Sequence, residues 1–356
     1  MFRRFLILLL FPLFFSGCGS ESSNEKLSAT VRQTLGLLQE NPQFVMYMSF
    51  KNMRQTDFWK TYVSDSIIKA ESDLGGMLSV FKNATDASIS NGLDEIYLSN
   101  SWEGENSFVL RGSFNRDKLK SYAQTDTNLY KETFDDGVTV YSHREKNLIF
   151  FLKDNGTICA SNFPSRIKEM REIKDTSKSG ILKNPEVLTA IENSHFKSSF
   201  WLVSTEPSFI RGIFSNFIES KSKDFSDTSA FEIDTNKIKS SQQQDTVNKQ
   251  EIFLKNISKA IKSISLSGKM SSDLKITVQF GFPDEGNAQN FSKMLTGMIA
   301  LSKLAASATK SENTPGLKII ENMKIDYENT QTRIFIEISK DNIEAFRGYN
   351  FMNPPK

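Results

Sequence analysis

The sequence predicts an α+β protein built as two tandem repeats, each an antiparallel sheet with helices packed on one face. The apolar series Ile96, Leu98, Phe108, Leu110 and Phe114 recurs as Ile264, Leu266, Ile276, Val278 and Phe282 at one constant spacing and without a gap. Leu274, Ile276, Val278 and Phe280 alternate with Lys275, Thr277 and Gln279, so one face of that strand is buried and the other is wet or lightly covered. Strand-like runs meet at Asp135-Asp136-Gly137 and Asp154-Asn155-Gly156, turns of the kind that join antiparallel neighbours.

Taken in order, Leu27, Val31, Leu35 and Leu38 fall on one side of a helix that Asn41-Pro42 stops. Residues 44–50 are β-rich, and helical character returns over 52–63, with Phe58, Trp59, Tyr62 and Val63, and again over 74–81. Asn91-Gly92 turns the chain into a hairpin over 95–102 and 107–114, and Asn115 caps a short helix. A meander follows, carrying Phe134, Val138, Val140, Leu148, Phe150 and Leu152.

Beyond residue 162 the pattern begins again. Residues 167–173 and 187–191 are helical, 199–204 a strand and 208–219 a helix; the second hairpin leads to a long helix over 287–308 and two strands over 323–338. Tyr47 matches Val203 at a smaller spacing than the hairpins show, so the second half is longer between its first two strands. The extra length falls in 221–250, polar and low in complexity, as expected of a solvated insertion. Each half reads β-α-β-β-α-β with an extra strand, an order that resembles the split βαβ, ferredoxin-like unit. The repeats are expected at 27–162 and 163–350, with a tail at 351–356.

The N-terminus gives an address. Arg3 and Arg4 precede an uncharged apolar run, Phe5 to Phe15, and the small residues Ser16-Gly17 close it before Cys18. That run is too short for a hydrocarbon core, which takes about 20 helical residues. Phe15-Ser16-Gly17-Cys18 resembles the lipobox of bacterial lipoproteins, with Phe15 where leucine is usual. The resemblance implies removal of residues 1–17 as a signal peptide, acylation of Cys18, and a membrane partner reached through that lipid. Gly19 after the cysteine, where aspartate would retain a lipoprotein at the inner membrane, implies the outer membrane. Residues 19–26, GSESSNEK, form a flexible tether.

Loss of the leader removes two of the 44 basic residues and none of the 42 acidic ones, leaving a formally neutral chain. No basic stripe with interleaved aromatics is present, and nucleic acid is excluded as a partner class. Cys159 is then the one free thiol, in the strand-like Thr157-Ile158-Cys159-Ala160-Ser161, and reads as a small packing residue.

The tandem halves, Asn41-Pro42 before the first strand and Leu182-Lys183-Asn184-Pro185-Glu186 before the helix that leads to the first strand of the second half together resemble an uncharacterised family of bacterial envelope proteins with duplicated α+β domains. The resemblance implies no catalytic residue. Asn184-Pro185-Glu186 reads in its own right as a helix start with proline at the first position.

No constellation of catalytic or cofactor-binding residues stands out. His143 and His195 are the only histidines, have no ligand-spaced neighbour, and are expected at the surface or in turns. Asp135-Asp136 reads as a turn. G-x-G-x-x-G, G-x-x-x-x-G-K-[ST] and G-x-S-x-G do not occur, so no cofactor, metal site or enzymatic activity is expected. Asp65-Ser66-Ile67 and Asp245-Thr246-Val247 resemble short O-glycosylation signals of some envelope bacteria.

One stretch keeps binding open. The helix bearing Phe291, Met294, Leu295, Met298, Ile299, Leu301 and Leu304 is apolar on more than one side. Either it lies between the sheet and the sister half, or Phe291, Met294 and Met298 line an adaptable groove for an acyl chain or a partner helix. The sequence thus describes a lipid-anchored envelope protein that acts as an interaction or scaffold protein. A carrier or sensor of an apolar molecule is the alternative, and an unrecognised enzyme the third reading.

Overall fold

The computed structural model describes residues 27–64, 76–213, 259–308, 319–320 and 322–348. Cys18, the tether, both glycosylation-like tripeptides and the 221–250 insertion lie outside these residues. The fold is α+β, with one large antiparallel sheet. Its strands are β1 (Phe44–Ser49), β2 (Leu93–Asn100), β3 (Asn106–Gly112), β4 (Leu129–Thr133), β5 (Thr139–His143), β6 (Leu148–Leu152), β7 (Thr157–Ser161), β8 (Phe200–Ser204), β9 (Ser263–Met270), β10 (Leu274–Gly281), β11 (Lys324–Glu328) and β12 (Gln331–Ile338). The twelve lie in the order β11-β12-β10-β9-β8-β1-β2-β3-β7-β6-β5-β4.

The two halves meet inside this sheet. β1 pairs with β8, setting Val45 opposite Val203 and Tyr47 opposite Trp201, and the order β2-β3-β7 on one side recurs as β9-β10-β12 on the other. In the hairpins Ile96 faces Leu110 whereas Ile264 faces Phe280. With Ile96 matched to Ile264, the counterpart of Leu110 is therefore Phe280, not Val278, because each arm of the second hairpin runs two residues further before its turn, which closes on Ser271 and Asp273.

This topology corrects the ferredoxin-like expectation. In a split βαβ unit the strand after the first helix runs parallel to β1 with another strand between them; here β2 is the direct antiparallel neighbour of β1. Ser49 at the end of β1 caps α2 (Phe50–Arg54), accepting from Asn52 N, and Arg54 donates to the carbonyls of Ile89 and Leu93 at 2.8 and 2.7 Å. That clamp starts β2 where β1 ends. The helix expected over 52–63 is broken into α2 and a π-helical turn, Trp59–Val63, and α3 (Met77–Thr85) follows.

Helices cover both faces of the first half, a second correction. On one face Val45, Tyr47, Tyr97, Val109, Phe151 and Cys159 pack under α1 (Ala29–Leu35), α5 (Pro164–Glu172) and α6 (Pro185–Asn193). On the other, Ile96, Leu110, Tyr141, Phe150 and Ile158 pack under α2, α3 and α4 (Arg116–Thr125). Ile167, Met170, Val187 and Ile191, all beyond residue 162, fill the first-half core, so the expected repeat boundary does not divide the packing.

In the second half one face carries Ser265, Ser267 and Gln279 where the first carries an apolar core. The other packs Ile264, Phe280 and Phe282 under a helix at 207–213 (α7) and under α8 (Glu285–Ala308). The chain continues from β12 into α9 (Lys340–Gly348).

Candidate functional site

α8 starts when Asp284 Oδ1 accepts from Asn287 N at 2.8 Å, and it has 24 residues. Its first half is anchored. Ala288 and Phe291 are fully buried, and the Phe291 ring lies 5.0 Å from Phe280 and 5.3 Å from Phe282. Thr332 donates its hydroxyl to Ala288 O at 2.7 Å, and Gln289 its amide to the Tyr327 hydroxyl at 2.8 Å.

Its second half is less covered, with no buried residue over 297–304. A helix of this length spans about 36 Å at 1.5 Å per residue, whereas eight-residue β12 spans about 27 Å. Leu301 and Leu304 are 65% and 68% exposed. Met294, Met298, Leu301 and Leu304 follow one another at helical spacings of four, three and three, so they share one side, offset from the buried Ala288–Phe291–Leu295 side. Met294 and Met298 are half-buried. The expected groove residues therefore separate: Phe291 is enclosed in the core, Met294 packs partly against that core, and Met298 leads to an open apolar stripe. The helix packs on β11 and β12, at the far side of the sheet from the first half.

Cys159 is completely buried, and burial pushes its thiol up to about 12, which keeps it protonated. His143 is buried at the end of β5 with Nε2 3.8 Å from Asp126 Oδ2, neither at the surface nor in a turn as expected of it. His195 is half-buried in the turn before β8. Asp135 and Asp136 form the hairpin turn, with Gly137 at φ 77°. Asp136 Oδ1 accepts from Val138 N, and Arg171 approaches Oδ2 at 3.2 Å while stacking 3.8 Å over Phe134.

Sequence reasoning missed a polar tie in the first-half core. The Tyr47 and Tyr97 hydroxyls both donate to Glu95, at 3.1 and 3.4 Å, and Arg111 Nε stands 3.4 Å from the same carboxylate. Burial and the Glu95 charge raise both phenols, Tyr47 to about 12, so both remain donors. No local motif announces it, because Glu95 and Tyr97 meet Tyr47 only through strand register. An open recess nearby holds Arg54, Asp86, Asp94 and Asn115, but Asp94 pairs with Arg54, and Asp86 with Lys118 and Asn115. Among the described residues no group of three or more His, Cys, Asp or Glu is placed to hold a metal ion, and no helix is long and apolar enough to cross a membrane.

No family model and no curated protein matches this chain. Solved structures do: crystal forms I, III and IV of the Treponema protein TP0453 are similar at 12%, 10% and 10% identity. They cover 88%, 87% and 88% of this chain and 95% of TP0453, with TM-scores of 0.42, 0.40 and 0.41.

Proposed function

We propose that this chain is a lipid-anchored protein of the bacterial envelope, tethered through Cys18 at the outer membrane, which acts by apolar contact with another envelope component. The observation that carries the reading is the α8 stripe. A helix whose first half is locked into the core by Phe291 holds Leu301 and Leu304 out to solvent on a fixed frame, at an entropy cost already met by folding. Such a surface suits a partner that covers it. The half-buried Met294 and Met298 favour a second reading, a carrier of an apolar molecule, because flexible thioethers repack around different shapes.

Native mass spectrometry of the full chain, isolated gently from its host envelope, separates the readings. The contact reading expects a bound protein that the Leu301→Asp, Leu304→Asp double variant loses. A stoichiometric small mass lost on Met298→Asp supports the carrier instead. A bare chain contradicts both.

A further inference from the structure

Among the described residues, β4 and β11 each pair with one strand alone and form the two edges of the sheet. An edge strand offers backbone N–H and C=O groups to any strand that can pair with it, and the bonds beside each edge fix which residues make the offer. Across β10 and β12, Phe282 N–H donates to Thr330 O, so the backbone of Thr330 faces β10 and that of Gln331 faces β11. Glu328, opposite Gln331, therefore turns its own groups inward, and Ile325 and Tyr327 turn theirs out of the sheet. On β4, Arg144 N donates to Asn128 O and Phe134 N to Val138 O, which turns Leu129, Lys131 and Thr133 outward.

Two copies related by a twofold axis pair antiparallel only where outward residues meet outward residues. On β11, the register centred on Asp326 satisfies this condition. Ile325 exchanges hydrogen bonds with Tyr327 of the second copy, and Lys324 stands opposite Glu328 of the second copy. Asp326 meets its own mate, but each is already held by Arg333, with Nε 2.8 Å from Asp326 Oδ1 and Nη1 2.9 Å from Glu328 Oε2. Lys324, Asp326 and Glu328 are exposed, and Tyr327 is partly so. On β4 the same condition centres the pairing on Lys131, Tyr130 or Glu132 against itself and never sets Lys131 opposite Glu132. The β11 edge is self-complementary in charge and hydrogen-bond parity; the β4 edge is not.

We propose that the β11 edge is a homodimer contact, pairing antiparallel with β11 of a second copy about Asp326 and continuing the sheet from one molecule into the next. This inference is independent of what α8 binds.

Asp326→Cys in the full chain tests it. The proposed axis places that residue beside its own mate at about 4.5 Å between Cα atoms, the spacing of a non-hydrogen-bonded antiparallel pair and within disulfide reach. Mild oxidation is expected to give a covalent dimer in excess of that from the unaltered chain and from Lys131→Cys on the opposite edge. No such dimer, or as much from Lys131→Cys, overturns the proposal. Lys324→Glu, at an exposed position, sets like charges against Glu328 and is expected to raise the dimer dissociation constant by ~10-fold or more in sedimentation. An unchanged constant also overturns it.

Discussion

Tyr47 and Trp201 stack across the seam between the two halves of the chain, with ring centroids 5.6 Å apart and planes at 29°. Both are buried, and they belong to the core that draws on α1, α5 and α6. The seam is thus core. Trp201→Ala is expected to cost about 3–5 kcal/mol and to leave one cooperative transition. Denaturation followed by circular dichroism and by the fluorescence of the remaining Trp59 and Trp102 checks it, and two separated transitions would show that the halves fold apart.

Arg54 provides a second test, of topology. Its guanidinium satisfies Ile89 O and Leu93 O and pairs with Asp94 at 2.9 Å. Arg54→Met leaves those carbonyls without their charged donor and is expected to cost about 2–3 kcal/mol. Hydrogen exchange should rise first over residues 88–94, where the clamp starts β2; uniform acceleration would contradict that role.

α8 should respond differently along its length. Phe291→Ala opens a cavity against Phe280 and Phe282 and is expected to cost about 3–5 kcal/mol. Leu301→Asp and Leu304→Asp touch an exposed stripe and should stay within about 0.5 kcal/mol of the unaltered chain. Urea titrations of the three variants compare them directly.

Cys159 links stability to alkaline pH. Its folded-state thiol is raised from 9.0 to about 12 by burial, so the stability this adds is complete below the unfolded value and lost as pH rises through that window. The slope from this one group is about 1.4 kcal/mol per pH unit. Cys159→Ala should remove that share of the alkaline destabilisation, seen as a shallower fall of the urea midpoint above pH 9; an identical fall would show that the thiol ionises freely in the native state.

Much of this was legible locally. The alternation of Leu274 to Phe280 gave a strand with one polar face, though Gln279 on that face is buried and donates to Asn193 O and Gln331 Oε1, and Asn115 and Asn184 mark helix starts that the structure caps with their side chains. The doubly covered first half was written in Phe150-Phe151 and Ile158-Cys159-Ala160, where successive apolar residues point to opposite faces. The β1–β2 pairing was not legible, because it depends on Arg54 reaching carbonyls more than thirty residues away. At the site, apolarity on two sides of α8 was visible in composition. Which side turns inward was decided by Phe280 and Phe282, and this put Phe291 in the core and left Leu301 and Leu304 outside.

The contact role of α8 is tested most directly by thiol labelling of Leu304→Cys, in the purified chain and in intact envelopes of the host, with Lys131→Cys on β4 as control. Buried Cys159 adds no background while the fold holds. The account predicts rapid labelling at 304 in the purified chain, strong protection in the envelope, and rapid labelling at 131 in both. Equal labelling at 304 in the two settings would contradict it.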